Sequence, residues 1–513
     1  MFDFRFEGDN TITLLEQPDV AKREVKPVWA EELNILGVDK FFNYPRSCKD
    51  PLLWRCASRY YYCGIPVFKT KYIDPDTQPN IQILDSLYKE FKPINIKKLI
   101  DRNEKLLEKV LDITITEANK TLDTIEENID TFICGYSGGK DSTVLLDVVL
   151  KLIPLKKLII QNNDTGMEYT KTIEFVQSVI KDLLCEHPEI RFQTISSDLP
   201  ATRTWRIIGF PSRMLRWCCR VHKSAPTIRY SIEHSLGRIL QIFGQRRAES
   251  AQRSEYQSLS KGELGELAFH PILDWSSAEV WLYIFYKNLP FNPLYKSGLT
   301  RVGCFLCPMS SGISCFFSKR IEPERTKQLQ EIVASQSRIH PRHKDIFKEV
   351  RNGLCFEAWK GQRGGRYLDI LPRGLVERTR VVPLIREEEA ARDWLKVGDL
   401  TWQKEWVVSG KKSIIEKGYA IKALFCVGCG VCAAFCKQQA ISFVDVESKD
   451  GRRRPVIDFD KCIKCYNCLY TGVGYDRCFA HSRQRLNKKE TIERIKHEYP
   501  KADLLSLPEE IES

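Results

Sequence analysis

No stretch of this 513-residue sequence is long and apolar enough to cross a bilayer. The most apolar zone, Val144 to Ile160, is interrupted by Asp147, Lys151, Pro154, Lys156 and Lys157, whereas a spanning helix needs about 20 largely apolar residues in a row. The opening MFDFRFEGDN has neither a basic segment nor an apolar run, so no secretory leader is expected and a cytoplasmic location is. Long repeats and low-complexity tracts are also missing, which sets solenoids and disordered arrays aside. Compositional extremes are absent too: 43% hydrophobic, 28% charged and 11% aromatic residues describe an ordinary soluble chain, of about three domains at this length. What the sequence has in excess is cysteine, with 19 residues gathered into clusters. Without a sign of export, C-x-x-C spacings point to metal or cluster ligation rather than to a disulfide scaffold. The net charge of +12 favours the approach of a nucleotide, a nucleic acid or an acidic partner, and equally describes a solvated basic surface.

Residues 1–95 mix aromatics with turn residues, and RYYYCGIPVFKTKYI (59–73) reads as a strand pair around Gly64-Ile65-Pro66. Residues 96–128 carry apolar positions at helical spacing, enough for one or two amphipathic helices. From 129 to 310 short apolar strands alternate with helices. DTFICGYSGGKDSTVLLDVVLKLI gives a strand, a glycine turn and a helix opening near Asp141 or Ser142, and KKLIIQNNDTG gives a second buried strand before a helix over about 169–184. RFQTISS and GRILQIFGQRR continue the alternation, which predicts an α/β fold: a parallel sheet with helices on both faces. Residues 311–420 form a charged connector with some helix, 421–485 a small cysteine-rich α+β module, and 486–513 a charged tail.

SGGKDS, Ser137 to Ser142, lies between an apolar strand and a helix. Its two glycines let backbone N–H groups approach an anion, and the helix N-terminus adds partial positive charge. Lys140 can pair with phosphate, and Ser137 and Ser142 can donate to its oxygens. The Walker A spacing is absent. SGGKDS instead resembles the PP-loop of the adenine-nucleotide alpha-hydrolase superfamily. DTGMEY (164–169) and GQRRAESAQR (244–253) resemble segments of its phosphoadenosine-phosphosulfate reductase family, as do HPILDWSSAEVWLYI and NLPFNPLYKSGLTRVGCFLC further on. The resemblance covers roughly 130 to 310. It implies an adenine-nucleotide site formed by Ser137, Gly138, Gly139, Lys140, Asp141, Ser142, Asp164, Thr165, Gly166 and Arg253, with Lys140, Asp141, Arg246 and Arg247 in catalysis. Asp164 falls at the carboxyl end of a strand, where open parallel sheets bind ligands, and the arginines offer forks suited to phosphate or sulfate.

Cys218 and Cys219 are adjacent, flanked by Arg213, Arg216, Arg220 and Lys223, and Cys304-Phe-Leu-Cys307 follows downstream. Four thiolates suit either a 4Fe–4S cluster or a tetrahedral zinc, and bare spacing does not separate the two. The layout is similar to the 4Fe–4S site of the assimilatory adenylyl-sulfate reductase branch, which implies a cluster. Towards the C-terminus, Cys426, Cys429, Cys432 and Cys436 follow C-x2-C-x2-C-x3-C spacing, and Cys462, Cys465, Cys468 and Cys478 form a second run with a longer last gap. In two-cluster ferredoxins the fourth cysteine of each run serves the other cluster. That rule groups Cys426, Cys429, Cys432 and Cys478 at one cluster and Cys462, Cys465, Cys468 and Cys436 at the second. No proline follows either fourth cysteine, a departure from the ferredoxin pattern. Three 4Fe–4S clusters and a bound ATP or sulfonucleotide, with Mg2+, are the expected cofactors.

Reductases of the family end in a Glu-Cys-Gly-x-His-like segment whose cysteine attacks sulfur. No such segment follows the core here, and Cys355, in GLCFEAW, has neither the glycine nor the histidine. Two readings follow. The first is an ATP-dependent sulfurtransferase that thiolates a nucleic acid, as in DNA phosphorothioation or tRNA thiolation, with electrons from the ferredoxin-like module. The second is an oxidoreductase that releases sulfite from adenylyl sulfate or phosphoadenylyl sulfate, with its donor fused on. The partners compatible with these readings are an adenine nucleotide, a nucleic acid, a cysteine desulfurase or other sulfur donor, an electron donor and a second copy of the chain, with no membrane among them.

Overall fold

The computed structural model describes residues 2–18, 24–73, 76–208, 211, 217–249, 251–261, 267–305, 307–336, 388–401, 419, 422–423, 426, 428–446 and 453–470. The apolar runs Thr131–Gly135 and Leu158–Asp164 pair in parallel, with Ile133 facing Ile159 and Cys134 facing Ile160. Parallel neighbours need a crossover, and the helix Lys140–Leu152 supplies it, burying Val144, Leu145, Val148 and Val149. The sheet has six strands in the order Arg191–Ser196, Leu158–Asp164, Thr131–Gly135, Ile239–Ile242, Leu267–Phe269, Leu259–Lys261. The last strand runs antiparallel to its neighbour and forms one edge, while Leu158–Asp164, Thr131–Gly135, Ile239–Ile242 and Leu267–Phe269 pair in parallel. From Thr131–Gly135 the chain first winds to one side of the sheet and then returns to the other at Ile239–Ile242. That reversal opens a crevice at the carboxyl ends of the two strands, the ordinary ligand position in such sheets.

The amino-terminal segment forms a five-stranded antiparallel sheet, Val25–Val28, Leu53–Cys56, Arg59–Tyr62, Ile65–Lys71 and Asn80–Ile83, in that spatial order. Cys63 and Gly64 both have positive φ, 46° and 81°, as a two-residue hairpin turn requires. Glu32, fully buried, accepts from Lys26 Nζ at 2.5 Å, Arg55 Nη1 at 2.9 Å and the Tyr60 hydroxyl at 2.8 Å. Lys26 Nζ also donates to the Tyr295 carbonyl at 3.0 Å, so this charge cluster ties the antiparallel sheet to the half built on the parallel strands. Removing one member of a buried ionic set strands the others, at a cost of about 3–5 kcal/mol.

One helix, Ile96–Asp123, fills most of the range expected to hold one or two. Leu99, Asn103, Leu107, Val110, Thr114, Ala118 and Leu122 are its buried stripe, and the Asn95 side chain caps it by accepting from Lys98 N–H. Asn103 pairs with the Leu14 and Ile12 backbone, and Thr114 Oγ1 accepts from Trp275 Nε1 at 2.8 Å. Trp29 packs on Trp281 and Phe291. The ranges 1–95, 96–128 and most of 129–310 thus share one hydrophobic core. No helix among the described residues is long and apolar enough to cross a membrane.

The chain divides into two compact units. One comprises Met1–Asn163, Met167–Thr194 and Leu236–Pro323; the other comprises Asp164–Gly166, Ile195–Ser235 and Glu324–Ser513. Within the second, the short helix Val431–Ala434 of the cysteine-rich module packs on the helix Ala225–Glu233, and Arg203 pairs with Asp445. A helix from the stretch read as a connector, Glu388–Val397, places Trp394, Leu395 and Val397 in the core of that module, alongside Tyr419 and Ala423. The module therefore draws in residues from before position 421. The tail 486–513, Arg213, Arg216, Cys355 and Cys478 lie outside the described residues.

His270 in the first unit is 4% exposed, near Phe243 and Tyr256, and burial pushes its pKa down to about 4. Its value in the unfolded chain is about 6.5, so between those pH values the unfolded state binds the extra proton. Stability is then full above pH 6.5 and falls as pH drops towards 4, by on the order of 2–3 kcal/mol from this residue. Urea unfolding at a series of pH values should show that slope in the wild type and a shallower one in His270→Gln. Equal slopes would contradict the assignment.

Candidate functional site

The SGGKDS turn leaves the buried strand Thr131–Gly135 and enters its helix at Lys140, one residue earlier than expected. Gly138 has φ +70°, and a Cβ there would stand 2.7 Å from Val176 Cγ2. Gly244 lies so close beneath the helix start that a Cβ would meet the Asp141 carbonyl at 2.9 Å. These two approaches explain why the loops carry glycine. The turn is pinned by its own side chains. Ser142 Oγ accepts from Ser137 N–H at 3.3 Å and donates to the Gly139 carbonyl at 2.9 Å. The Tyr295 hydroxyl accepts from Lys140 N–H at 2.9 Å.

Charge is concentrated just inside the helix. Lys140, 2% exposed, sends Nζ to both Asp141 oxygens at 2.7 and 3.0 Å. Arg246, fully buried, donates Nε to Asp141 Oδ1 at 2.6 Å, Nη1 to the Trp275 carbonyl at 3.2 Å and Nη2 to Glu24 at 3.1 Å. Burial alone would raise the Asp141 pKa, but Arg246 and Lys140 outweigh it and hold the carboxyl well below the usual range. Burial lowers the Lys140 pKa, and Arg246 adds to that effect while Asp141 opposes it. The expectation that the arginines present open forks to phosphate changes accordingly. Arg246 acts on the turn through Asp141, and Arg247 is engaged with the Tyr256 carbonyl and Asp274.

The cations facing outward are Arg253 and Arg301, with side chains 26% and 57% exposed, and both pair with Glu249. Burial and the neighbouring charge of Arg301 lower the Arg253 pKa. Two cations that disfavour each other gain from an arriving anion, which suits a phosphate position. Glu24, Tyr295 and Arg301 were not picked out by sequence reasoning. Glu24 has no motif around it, and Tyr295 and Arg301 lie in the NLPFNPLYKSGLTRVGCFLC segment, whose resemblance did not single them out; tertiary packing brings all three to the turn.

The remaining candidates divide between the two units. In the second unit, Asp164 Oδ1 accepts from Gly166 N–H at 2.8 Å, Gly166 has φ +70° and Thr165 is buried, so D-T-G forms a tight turn. Cys218 is half-buried and Cys219 exposed, in the short helix Trp217–Cys219, which runs into a π-helical turn at Arg220–Ser224. Pro226 follows, and it has no N–H to give to the carbonyl four residues back, so the helix widens before it. Inside that turn His222 is buried, bonded to the Ser197 and Thr204 hydroxyls at 2.6 and 2.8 Å, and burial pushes its pKa down to about 4. In the first unit, Cys304 and Cys307 share a tight turn, with Cys304 Sγ 4.0 Å from Glu168 Oε1.

In the carboxy-terminal module Cys436, Cys462, Cys465 and Cys468 line one cavity together with Val397, Ile441, Ile457 and Ile463. These are the four thiols that the ferredoxin rule groups at one cluster, and an apolar wall with four sulfur donors suits an iron–sulfur centre. Cys426 and Cys432 pack on the Trp394 core beside it, and Arg453 reaches the Gly428 carbonyl with Nε at 3.0 Å, near Cys429. Among the described residues no three His, Cys, Asp or Glu side chains stand close enough to hold a single metal ion.

The hydroxyl of Tyr295 offers a test of this geometry. Tyr295→Phe leaves the Lys140 N–H without its acceptor, and should cost about 1–3 kcal/mol in denaturant unfolding together with weaker adenine-nucleotide binding in calorimetry. Unchanged binding and stability would show that the contact does not shape the turn.

Comparison with known proteins agrees with the architecture. Residues 131–310 match the phosphoadenosine phosphosulfate reductase domain, and residues 425–471 match a 4Fe-4S dicluster domain. An uncharacterized protein of Methanocaldococcus jannaschii is 28% identical over 269 residues, 51% of this chain and 62% of that protein. The adenosine 5'-phosphosulfate reductase of Neisseria meningitidis serogroup A is 32% identical over 157 residues, 29% of this chain and 62% of the enzyme. Among solved structures, the U34-tRNA thiolase NcsA from Methanococcus maripaludis, with its [4Fe-4S] cluster, aligns at a TM-score of 0.27 and 20% identity, over 44% of this chain and 74% of that one. The chain spans less than two thirds of the length of the two curated relatives named here. With the turn, the parallel sheet and the paired cysteine runs in place, the chain joins a PP-loop domain of the phosphoadenosine phosphosulfate reductase family to a 4Fe–4S dicluster domain.

Proposed function

We propose that this chain is an ATP-dependent sulfurtransferase acting on a nucleic acid, with electrons supplied through its dicluster module. The observation that carries the reading is the intact SGGKDS turn, braced by the buried Lys140–Asp141–Arg246 array and faced by Arg253 and Arg301. Cations at several positions around a glycine turn suit a triphosphate better than a single phosphosulfate. An acceptor oxygen, either a DNA phosphate oxygen or a base carbonyl of tRNA, attacks the α-phosphorus of ATP, and pyrophosphate leaves. The acceptor–oxygen bond to adenylate makes a good leaving group, and sulfur from a desulfurase or other donor displaces AMP. Lys140 neutralises phosphate charge, while Asp141, kept ionised by Arg246, holds Lys140 in place.

A persulfide donor requires two electrons to cleave its S–S bond after transfer. Bound 4Fe–4S clusters would supply one-electron chemistry for that purpose. The segment carrying Cys218 and Cys219 packs with the dicluster module inside one compact unit, which supports a short route between them. By the family resemblance, a third cluster on Cys218, Cys219, Cys304 and Cys307 belongs to this reading, and so does a cytoplasmic setting. A second reading, sulfite release from adenylyl sulfate, is favoured by the 32% identity to the meningococcal reductase.

Anaerobically purified protein should release pyrophosphate from ATP in the presence of a nucleic-acid acceptor, and Lys140→Ala should lower that rate at least a hundredfold. Sulfite from adenylyl sulfate, with no ATP turnover, would sink the sulfurtransferase reading in favour of the second.

A further inference from the structure

Three buried side chains from before the cysteine runs close over the thiols of the carboxy-terminal module, and the dicluster match at 425–471 includes none of them. Trp394 comes from the helix Glu388–Val397 and is fully buried, while Tyr419 and Lys422 are 0% and 1% exposed. The Lys422 ammonium lies 4.1 Å from the centre of the Trp394 ring, and the Trp394 and Tyr419 rings are 6.1 Å apart. The Tyr419 hydroxyl stands 2.9 Å from Cys468 Sγ. A phenol beside a ligating thiolate donates its proton to the sulfur, since a thiolate has none to give.

An ammonium is costly to bury unless anions offset it, and thiolates ligating a cluster are such anions. Cys426 and Cys432 of the first run and Cys462 and Cys468 of the second pack on the same core as the Trp394 ring beneath that ammonium, so the charge lies beside both runs. Cys432 belongs to the first cysteine run and Cys468 to the second, so one ammonium is shared by the two. The hydrogen bond of Tyr419 goes to the second run, at Cys468.

We infer that Lys422 and Tyr419 are positioning residues that raise the reduction potentials of the dicluster module. Lys422 favours the more negative, reduced state at both cysteine runs, and Tyr419 does so through its hydrogen bond to Cys468. Net charge nearby and hydrogen bonds to the sulfurs are general determinants of such potentials. The inference rests on the two cysteine runs holding clusters, and it holds whether the enzyme transfers sulfur or reduces a sulfonucleotide.

The test is an EPR-monitored redox titration of the anaerobic full-length chain, with iron and acid-labile sulfide counted on the same samples. Tyr419→Phe keeps the ring and removes the hydroxyl. It should shift one carboxy-terminal centre to a lower potential by roughly tenfold in its one-electron equilibrium, about 59 mV, and leave the other in place. Lys422→Met should lower two centres, and Lys422→Arg should return them towards wild type. Wild-type protein without iron and sulfide in this module would defeat the cluster reading itself. Loaded variants with unmoved potentials would overturn the inference alone. Should Lys422→Met not retain iron, proton–deuteron exchange of the wild type followed by ENDOR decides. An exchangeable proton coupled to one centre and lost in Tyr419→Phe is expected, and its absence overturns the role of the hydroxyl.

Discussion

The buried contact between Asp141 and its two cations, Lys140 and Arg246, is the interaction on which the nucleotide site depends. Three charged groups at the first turn of a helix are expensive to desolvate, and they persist only because each is matched. Lys140 anchors one side of the carboxylate, and Arg246 spans from it to Glu24 and the Trp275 carbonyl. The array has a direction. The fully buried end lies under the sheet crevice, and the exposed end, at Arg253 and Arg301, meets solvent and any arriving phosphate.

That array is held by a part of the chain with no nucleotide motif. The amino-terminal sheet delivers Glu24 to Arg246, and its Lys26 binds the carbonyl of Tyr295, whose hydroxyl caps Lys140 N–H. The first hundred residues thus reach the turn's surroundings through Glu24 and through the Glu32–Lys26–Arg55 cluster. In the other unit the same logic recurs with thiols. A shell of Trp394, Tyr419 and Lys422, contributed from outside the cysteine runs, sets the surroundings in which Cys432 and Cys468 sit.

Features with a local cause were legible in the sequence. The glycine turn, the buried parallel strands and the C-x-x-C runs each depend on neighbouring residues, so spacing alone reveals them. The hairpin at Gly64 and the helix beyond Asn95 were legible for the same reason. Contacts made across long sequence distances were not. Glu24 meets Arg246, and Tyr295 meets Lys140, only after the core has formed, and no spacing in the sequence pairs them. Arg246 illustrates a subtler gap. Its motif marked it as important, but an arginine read as a phosphate fork is a buried strut for Asp141. Likewise some helix was expected in the charged stretch before 421, but nothing there marked Trp394 as part of the cysteine-rich core.

The central claim is that Arg246, without itself facing solvent, fixes Asp141 and through it the phosphate-binding turn. Calorimetric ATP affinity of the wild type and of Arg246→Met, on samples with equal iron content and matched circular dichroism, tests it most directly. The account predicts at least tenfold weaker binding in the variant, because Asp141 and Glu24 lose their shared cation. Equal affinity in the two proteins would contradict it.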